Sequence, residues 1–380
     1  MKVLFVASVY RHLTAFHIPF MEYFQSEGYE VYAVGIGDED KAILEARNIS
    51  CIDIPFSRNP FSSSNVKAYL GLKKLFKQEN FDLVHAHTPV AAFLTRAAFR
   101  KSDYGKILYT AHGFHFYKGA PLQNWLIYYP LEKLAAKWTD HLITINEEDY
   151  LNAKKFLPEH KVSLTHGVGV EPLKQTLTED EKLDLKLSLG LKGKAIVISY
   201  VAELNDNKNH IFLFNNWKEI KKQTPEYELL VIGTGEKEVE LKRIVSEMGL
   251  EDIHFLGFRR DVPKLLKITD ILCLLSLREG LPKSIMEAMA EGIPCIVSNT
   301  RGLNDLIIDK KNGFIIDLKN HIGLRESFKL ISQLSLRIQM GKVSKSLIED
   351  YLLQNVKSEY VSIYSIDYKD EYSYKDANIK

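Results

Sequence analysis

The sequence has few of the residues and segments typical of disulfide-bonded, metal-binding or membrane-spanning proteins. Its three cysteines, Cys51, Cys273 and Cys295, form no C-x-x-C pair, and two of them lie inside apolar runs. We interpret them as buried thiols of a reducing compartment. No apolar run approaches the roughly 20 residues that a transmembrane helix needs. The first ten residues, MKVLFVASVY, have no cleavage-type ending, so we expect a strand there and not a signal peptide.

Strong charge and a dinucleotide-binding motif are absent as well. The formal net charge is +1, so the charge of the whole chain favours no particular partner. No G-x-G-x-x-G motif stands between a predicted strand and a helix, which argues against a nicotinamide-dependent dehydrogenase. The histidines have no nearby cysteine or aspartate at metal-ligand spacing, so we expect no metal site. No recognition motif for nucleic acid is present, and we expect no such partner.

The sequence does contain a regular alternation of short apolar runs and amphipathic stretches. The first half predicts strands at Val3–Ser8, Glu30–Gly35, near Cys51, and at Asp82–His87, Lys106–Ala111, His141–Asn146 and Val162–His166. The second half predicts strands at Ala195–Ala202, Glu228–Gly233, Ile253–Gly257, Asp270–Leu275, Pro294–Ser298 and Gly313–Asp317. Apolar strands that alternate with helices indicate parallel sheets covered on both faces.

The length and one polar stretch indicate two domains. A chain of 380 residues is too long for one average core, and the alternation restarts after the polar segment 171–194. We predict an α/β protein with two Rossmann-like, doubly wound parallel-sheet domains that face a central cleft. The first is 1–170 and the second 171–350. The remaining 351–380 are predicted to be a helix that packs towards the first domain, followed by a polar tail that frays.

One stretch, Arg278 to Ile296, has the strongest functional signal. It reads REGLPKSIMEAMAEGIPCI, with Glu279 in a loop and Glu287 eight positions later inside a predicted helix. Exposed backbone amides at a helix N-terminus are a ready site for anionic or hydroxyl groups of a ligand. The alternative is an ordinary helix with two surface carboxylates. The complete segment, with its Gly-Leu-Pro turn and the strand that follows the helix, argues against this alternative.

This phrase resembles the signature of the family-4 retaining glycosyltransferases. The segment YVAELNDNKNH resembles the phosphate loop of their second domain, LLVIGTGEKEVELK its second strand and turn, and LGFRRDVPKLLKITDILCLLS its base-contacting segment. VHAHTP and TAHGFHF resemble strand ends of their first domain. The resemblance therefore covers nearly the whole chain. It is strongest to the bacterial branch that makes exopolysaccharide and capsule.

The resemblance implies a GT-B fold and a hexosyl transfer from a nucleotide diphosphate sugar. Among these donors we favour a UDP-sugar as co-substrate, with no cofactor and no divalent metal. The implied acceptor is a lipid-linked intermediate of a surface polysaccharide. Two other hypotheses stay open. One is a GT-B enzyme of another reaction type, such as a nucleotide-sugar epimerase or a phosphorylase. The other is a non-catalytic subunit of polysaccharide assembly.

The resemblance also assigns roles to residues that bind the donor. Lys208 and the backbone of Gly280, Leu281 and Pro282 would contact the diphosphate, and a lysine can meet it as a point charge. Glu287 would accept hydrogen bonds from the two ribose hydroxyls, since one carboxylate can serve a diol.

The sugar would lie against one residue from each domain. Glu279 would contact its hydroxyls near the reacting carbon, and His112 would act as the catalytic histidine at a strand end of the first domain. We favour His112 over His115, His87 and His85. A histidine bonded only to backbone is the alternative.

Two departures from the family pattern affect these assignments. Glu203 stands where many relatives carry an arginine for the diphosphate, so Arg278 and Arg301 become candidates for the second cation. In the first loop, SVYRHLTAFHIPF, the usual glycine pair is missing. Thr14 and His17 are candidates for the acceptor side there, with core packing or helix capping as the alternative.

A basic region suggests a membrane surface as a partner. Residues 58–137 contain twelve Lys and Arg against four Asp and Glu, an excess of eight, interleaved with aromatic and aliphatic residues. Such a surface suits adsorption to anionic lipid. We expect a cytoplasmic protein that can attach to the inner face of the cell membrane. A solvated basic face over an ordinary core is the alternative.

Overall fold

A computed structural model describes residues 1–57, 59–100, 104–172 and 176–366. The chain forms two compact units. Unit 1 is Met1–Val168 together with Val356–Lys380, and unit 2 is Gly169–Asn355. The boundaries expected from the sequence, 170/171 and 350/351, differ from these by a few residues.

The strands of unit 1 alternate with helices along the chain. In chain order its elements are β1 Lys2–Val6, α1 Tyr10–Phe16, α2 Ile18–Ser26, β2 Glu30–Gly35, α3 Asp38–Glu45, β3 Ser50–Asp53, α4 Ser64–Gln78, β4 Leu83–His87, α5 Pro89–Phe99, β5 Lys106–Ala111, α6 Leu122–Ala136, β6 His141–Thr144, α7 Glu147–Ala153 and β7 Val162–Leu164. The strands form one parallel sheet in the order β3-β2-β1-β4-β5-β6-β7. The carboxyl ends of β1, β4 and β5 therefore lie side by side.

Unit 2 repeats this pattern. Its elements are α8 Glu179–Ser188, β8 Ile196–Val201, α9 His210–Gln223, β9 Tyr227–Ile232, α10 Glu238–Glu247, β10 Ile253–Gly257, α11 Val262–Leu266, β11 Ile271–Leu274, α12 Lys283–Glu291, β12 Cys295–Ser298, α13 Leu303–Leu306, β13 Gly313–Ile316, α14 His321–Ile331 and α15 Leu334–Leu347. The parallel order is β10-β9-β8-β11-β12-β13. The loops after β8 and β11 leave neighbouring strands at the same edge, where such sheets bind ligands.

The last described helix, α16 Leu353–Tyr364, supplies core residues to unit 1. Its Val356, Tyr360 and Tyr364 are buried against residues of β1, α2 and β4. The Tyr364 hydroxyl lies 3.0 Å from Nδ1 of the buried His85, and Lys106 donates to the Tyr364 carbonyl at 2.6 Å. The C-terminal helix is therefore part of the hydrophobic core of unit 1.

All thirteen strands predicted from the sequence are present, so the predicted α/β class with two Rossmann-like parallel sheets is confirmed. The strand predicted at His141–Asn146 ends earlier, at Thr144. The reason is that the Asn146 side chain caps α7 by accepting from the Asp149 amide at 2.9 Å. In the described residues, no helix has the length and apolarity needed to cross a membrane. Arg58, Lys101 and Asp103 of the basic region, linker residues 173–175 and tail residues 368–380 lie outside those residues.

Candidate active site

The loop after β8 is held by Tyr200, the fifth residue of that strand. Its buried hydroxyl donates to the carbonyl of Lys208 and accepts from the backbone amide of Leu275 at 2.8 Å. Asn209 takes a left-handed conformation with φ of +51° and donates from its side chain to the Leu275 carbonyl at 3.1 Å. These bonds tie the turn that carries Lys208 to the end of β11.

The loop after β11 carries Glu279 to this turn. The Lys208 Nζ atom lies 2.6 Å from Glu279 Oε1, and Glu279 is only 8% exposed. Asn207 holds the same loop twice, because its carbonyl accepts from Leu277 at 2.8 Å and its side chain donates to the Arg278 carbonyl at 3.0 Å. The structure thus brings Lys208 to Arg278 and Glu279, which follow it by 70 and 71 positions in the sequence.

A second contact fixes the Gly280-Leu281-Pro282 turn. Gly302 has φ of +72°, and a Cβ atom at this position would lie 2.0 Å from the Gly280 carbonyl oxygen. Only a glycine fits so close to that carbonyl. Beside it, the buried Arg301 donates from Nε to the Glu279 carbonyl at 3.1 Å. The segment before α13 therefore supports the loop from behind.

Helix α12 begins directly after this turn, with Pro282 as its N-cap residue. Since proline has no N–H, the donors of the turn are the amides of Gly280 and Leu281, followed by those at the start of the helix. Glu287 lies in the second turn of α12, with its carboxylate 3.9 Å from Lys283 Nζ. Burial raises the pKa of Glu287, and Lys283 opposes this rise.

The residue at the family's arginine position, Glu203, is exposed and accepts from the Asn205 side chain at 3.1 Å. A carboxylate there adds negative charge to the edge of the site. Of the two arginines considered for the diphosphate, Arg301 is buried behind the loop, whereas Arg278 is partly exposed at its front end.

The first-domain candidates lie at the carboxyl edge of the unit 1 sheet. His112 directly follows β5 and is partly exposed, and its Nε2 atom lies 3.3 Å from Nε2 of His12 and 3.4 Å from Nδ1 of His87. Burial lowers the pKa of His112 to about 4. The imidazole is therefore neutral at physiological pH and can form hydrogen bonds without carrying a charge.

The two acceptor-side candidates have different surroundings. Thr14 is partly exposed in α1, and its hydroxyl donates to Asp40 at 2.7 Å. His17 is fully buried between α1 and α2 and stacks on His87 with ring centroids 3.7 Å apart. The structure thus gives Thr14 the more accessible position.

Three residues that hold or extend these sites had no sequence signal of their own. In the sequence alone, Tyr200 cannot be distinguished from the other residues of an apolar strand, and Asn207 cannot be distinguished from the other polar residues of its loop. His12 lies 100 positions before His112, its neighbour in space. Only the strand order, which places β1 and β5 on either side of β4, brings these histidines to one edge.

Comparison with known proteins identifies the family. Residues 2–146 match the family described as glycosyl transferase 4-like, and residues 182–346 match glycosyl transferases group 1. The chain is 37% identical to the putative glycosyltransferase EpsD of Bacillus subtilis over 83% of its own length and 84% of the relative. It is 34% identical, over 69% of each chain, to an Escherichia coli UDP-Gal:alpha-D-GlcNAc-diphosphoundecaprenol alpha-1,3-galactosyltransferase.

A solved structure gives the same result for the fold. Anabaena Alr3699/HepE, in complex with UDP and glucose, superimposes with a TM-score of 0.79 over 96% of this chain and 99% of that chain, at 17% identity. The fold is GT-B. Because the two family matches span most of the sequence and EpsD exceeds 30% identity, the chain belongs to the family-4 glycosyltransferases and is a glycosyltransferase of the polysaccharide-biosynthesis type.

Proposed function

We propose that this glycosyltransferase transfers a hexose, with retention, from a UDP-sugar to a lipid-linked intermediate of a surface polysaccharide. The observation that carries the donor assignment is the junction of Lys208, Glu279 and the Gly280-Leu281-Pro282 turn at the carboxyl edge of the unit 2 sheet. The name of the galactosyltransferase relative, which contains both UDP-Gal and diphosphoundecaprenol, supports the UDP donor and the lipid-linked acceptor.

The donor diphosphate needs positive charge and N–H donors. Lys208 supplies a charge, and the amides of Gly280 and Leu281 belong to a turn that Gly302 and Arg301 hold in place. With Glu203 at the position of the usual arginine, we assign the second positive charge to Arg278. As the bond to the sugar breaks, the leaving diphosphate gains negative charge, which these groups stabilise without a resident metal.

Glu279 and His112 are assigned to the transferred sugar. Glu279 forms an ion pair with Lys208, and this contact holds its mostly buried carboxylate in one orientation. That carboxylate can then accept from sugar hydroxyls. The neutral imidazole of His112 can donate one hydrogen bond to the sugar and accept another. Glu287 is assigned to the ribose hydroxyls.

The test starts with donor binding by the purified chain. Titration calorimetry with UDP-, GDP- and dTDP-sugars should give binding to at least one UDP-sugar. With that donor and a synthetic polyprenyl-diphosphate-linked monosaccharide, NMR of the product should show the anomeric configuration of the donor. Lack of binding to every nucleotide sugar would refute the proposed donor class.

The same experiment separates the other hypotheses. An epimerase would change the donor without any acceptor, and a phosphorylase would need inorganic phosphate. A non-catalytic assembly subunit would bind donor or acceptor without turnover. Inversion at the anomeric carbon would overturn retention while leaving the transferase intact.

We further propose that helices α4 and α6 place this enzyme on an anionic membrane surface. Both helices pack on α5, so they belong to one layer of unit 1. Leu122 and Leu126 of α6 are 72% and 67% exposed, and Phe61 before α4 is 76% exposed. Exposed lysines accompany them on both helices: Lys67, Lys73, Lys74 and Lys77 on α4, and Lys133 and Lys137 at the end of α6. Apolar side chains bordered by lysines suit insertion at a lipid headgroup boundary.

Not every basic residue of the region serves this surface. Arg96 is buried, pairs with Glu132 at 2.8 Å and lies over the Tyr109 ring at 4.1 Å. Lys106 donates to the carbonyls of Tyr364, the last residue of α16, and of Ile366, two residues later. Both residues therefore stabilise unit 1, and the membrane proposal rests on the exposed lysines of α4 and α6.

Vesicle pelleting tests the membrane proposal. The protein should pellet with vesicles of anionic phosphatidylglycerol at low salt and be released at high salt. Leu122→Ser combined with Leu126→Ser should weaken pelleting by about tenfold, because two apolar anchors are lost. Leu330→Ser, an exposed leucine in unit 2, is the matched control. Pelleting that is absent at low salt, or unchanged in the double variant, would refute the proposal.

A further inference from the structure

Four histidines meet at the carboxyl edge of the unit 1 sheet. We call them the histidine cluster: His12 of α1, His17 between α1 and α2, His87 at the end of β4, and His112 after β5. One ring nitrogen from each lies within 4.8 Å of the others, and no carboxylate or cysteine joins the group among the described residues. The transferase chemistry proposed above uses only one of these four imidazoles.

The distances within the cluster fit a metal coordination sphere better than a hydrogen-bonded chain. His112 Nε2 lies 3.3 Å from His12 Nε2 and 3.4 Å from His87 Nδ1. Both distances exceed the usual 2.9–3.0 Å of hydrogen bonds to nitrogen donors. A neutral imidazole nitrogen carries either one proton or one lone pair, so Nε2 of His112 cannot bond well to both neighbours. A zinc ion with Zn–N bonds of about 2.05 Å and tetrahedral geometry separates its ligand nitrogens by about 3.3–3.4 Å.

We propose that His12, His87 and His112 bind one divalent transition-metal ion of the zinc class, with a fourth coordination position left open. Imidazole nitrogens suit zinc, nickel and copper, and three histidines with an open position form a recurrent site type. His17 stacks on His87, so its ring has to turn before both can bind the same ion. It therefore borders the site.

The burial of the three ligands leaves one side of the site accessible. His12 and His112 are partly exposed, which leaves an entry path, whereas His87 is fully buried.

Metal binding has a consequence for the transfer reaction. Because His112 would be a ligand, a bound ion would withdraw its imidazole from the sugar, and metal should inhibit transfer instead of promoting it. This consequence rests on the role proposed for His112 above. The metal site itself does not, and it is therefore tested by a spectroscopic measurement that needs no donor or acceptor.

Cobalt is the probe, because Co²⁺ in a site of low coordination number gives intense visible d–d bands. The full chain, purified without a histidine tag and treated with chelator, should develop these bands on titration, saturate at one Co²⁺ per chain, and lose them when Zn²⁺ is added. His12→Asn should weaken Co²⁺ binding on the order of 100-fold, since it removes one ligand. His160→Asn, at an exposed histidine of the same unit, is the control and should titrate like the parent protein.

A second variant and a folding check keep this test decisive. His112→Asn should abolish the same bands, and circular dichroism should show that both variants remain folded. The proposal is overturned if saturating Co²⁺ gives only the weak bands of the hydrated ion. It is also overturned if folded His12→Asn and His112→Asn bind Co²⁺ as the parent does. Unchanged metal binding in a protein without transferase activity would refute the proposed function alone.

Discussion

The Nζ atom of Lys208 lies 2.6 Å from Oε1 of Glu279, so the two residues assigned to the diphosphate and the sugar form one ion pair. The side chain of Glu279 is 9% exposed and that of Lys208 is 20% exposed. The pair therefore couples stability to donor binding, because a change in either residue leaves a mostly buried partner without its counter-charge.

Replacement of Lys208 by methionine should lower kcat about 10²- to 10³-fold, because one charged group that faces the leaving diphosphate is lost. It should also destabilise the fold by about 1–2 kcal/mol, less than for a fully buried pair because part of the lysine is in water. Steady-state kinetics and thermal unfolding measure the two effects. Lys242→Met, which breaks a surface pair with Glu238 and a cation–π contact with Phe255, is the control and should leave kcat unchanged and stability within about 0.5 kcal/mol.

The double variant Lys208→Met, Glu279→Gln separates the two effects. In Lys208→Met the Glu279 carboxylate has lost its partner, and Glu279→Gln removes that charge. The double variant should therefore be nearly as stable as the parent protein, whereas its activity should stay as low as that of Lys208→Met. A parallel recovery of both would mean that Lys208 acts only through the fold.

Glu287→Gln should stabilise the protein and weaken nucleotide binding. Burial raises the pKa of Glu287, so the folded state holds its proton more tightly than the unfolded state does. Its contribution to stability is therefore lost as pH rises through the raised pKa, and at pH 7 the ionised form is a cost. A neutral glutamine removes this cost and should raise Tm. If Glu287 binds the ribose, loss of charge-assisted bonds should weaken UDP about 10–100-fold in calorimetry.

An unchanged affinity for UDP in this variant would contradict the ribose assignment. Glu291→Gln is not a suitable control, because it would break the ion pair between Glu291 and Lys267, 2.5 Å apart, and would change stability by itself. Glu247→Gln, at an exposed helical pair with Arg243, is better matched and should leave Tm and UDP binding within error.

The fold and one half of the site could be predicted from the sequence for a simple physical reason. A strand buried on both faces is apolar along most of its length, so central strands such as β1, β8 and β11 stand out in the sequence as apolar runs. The phrase around Glu279 is local, since the loop, the turn and α12 follow one another in the chain. The Lys208 turn and the Glu279 loop meet because β8 and β11 are neighbours, as the repeated alternation implies.

The supports of the site and the histidine cluster could not be predicted, because they depend on contacts between distant segments. A glycine is required at position 302 because the Gly280 carbonyl lies against it, and this contact is apparent only in the folded structure. His12 and His112 are 100 residues apart, and their spacing in sequence has no metal-binding pattern. The Asn146 cap, which ends β6 early, likewise depends on a side-chain conformation and not on hydropathy.

Stability should fall in acid partly because of His210 at the start of α9. Burial lowers its pKa to about 3, with a smaller effect from the Lys208 charge. Between that value and the ordinary 6.5, the unfolded state binds the proton and the folded state does not. The neutral His210 side chain therefore contributes fully to the free energy of unfolding above pH 6.5. This contribution is lost as the pH falls, by about 2 kcal/mol at pH 5.

His210→Phe tests this contribution with little change in shape. The His210 ring packs on the Tyr200 ring at a tilt of 34°, with the ring centroids 4.2 Å apart, and neither of its nitrogens has a hydrogen-bond partner among the described residues. The variant should therefore show a smaller fall in Tm between pH 7.5 and pH 5.0 than the parent protein. Equal pH profiles for the two proteins would show that His210 is not a source of the acid sensitivity.

Gly302→Ala should weaken donor binding by displacing the turn that contacts the diphosphate. Its Cβ atom would lie 2.0 Å from the Gly280 carbonyl oxygen, so the turn has to move. A displacement of this size in a binding loop should weaken UDP-sugar affinity and kcat/KM by about 10²-fold. Gly249→Ala is the matched control, because Gly249 has φ of +60° and open space around it. This control also places a side chain at a positive φ, but without a clash, so it should lose stability only. Equal losses of donor affinity in both variants would mean that strain, and not the contact with Gly280, explains the effect.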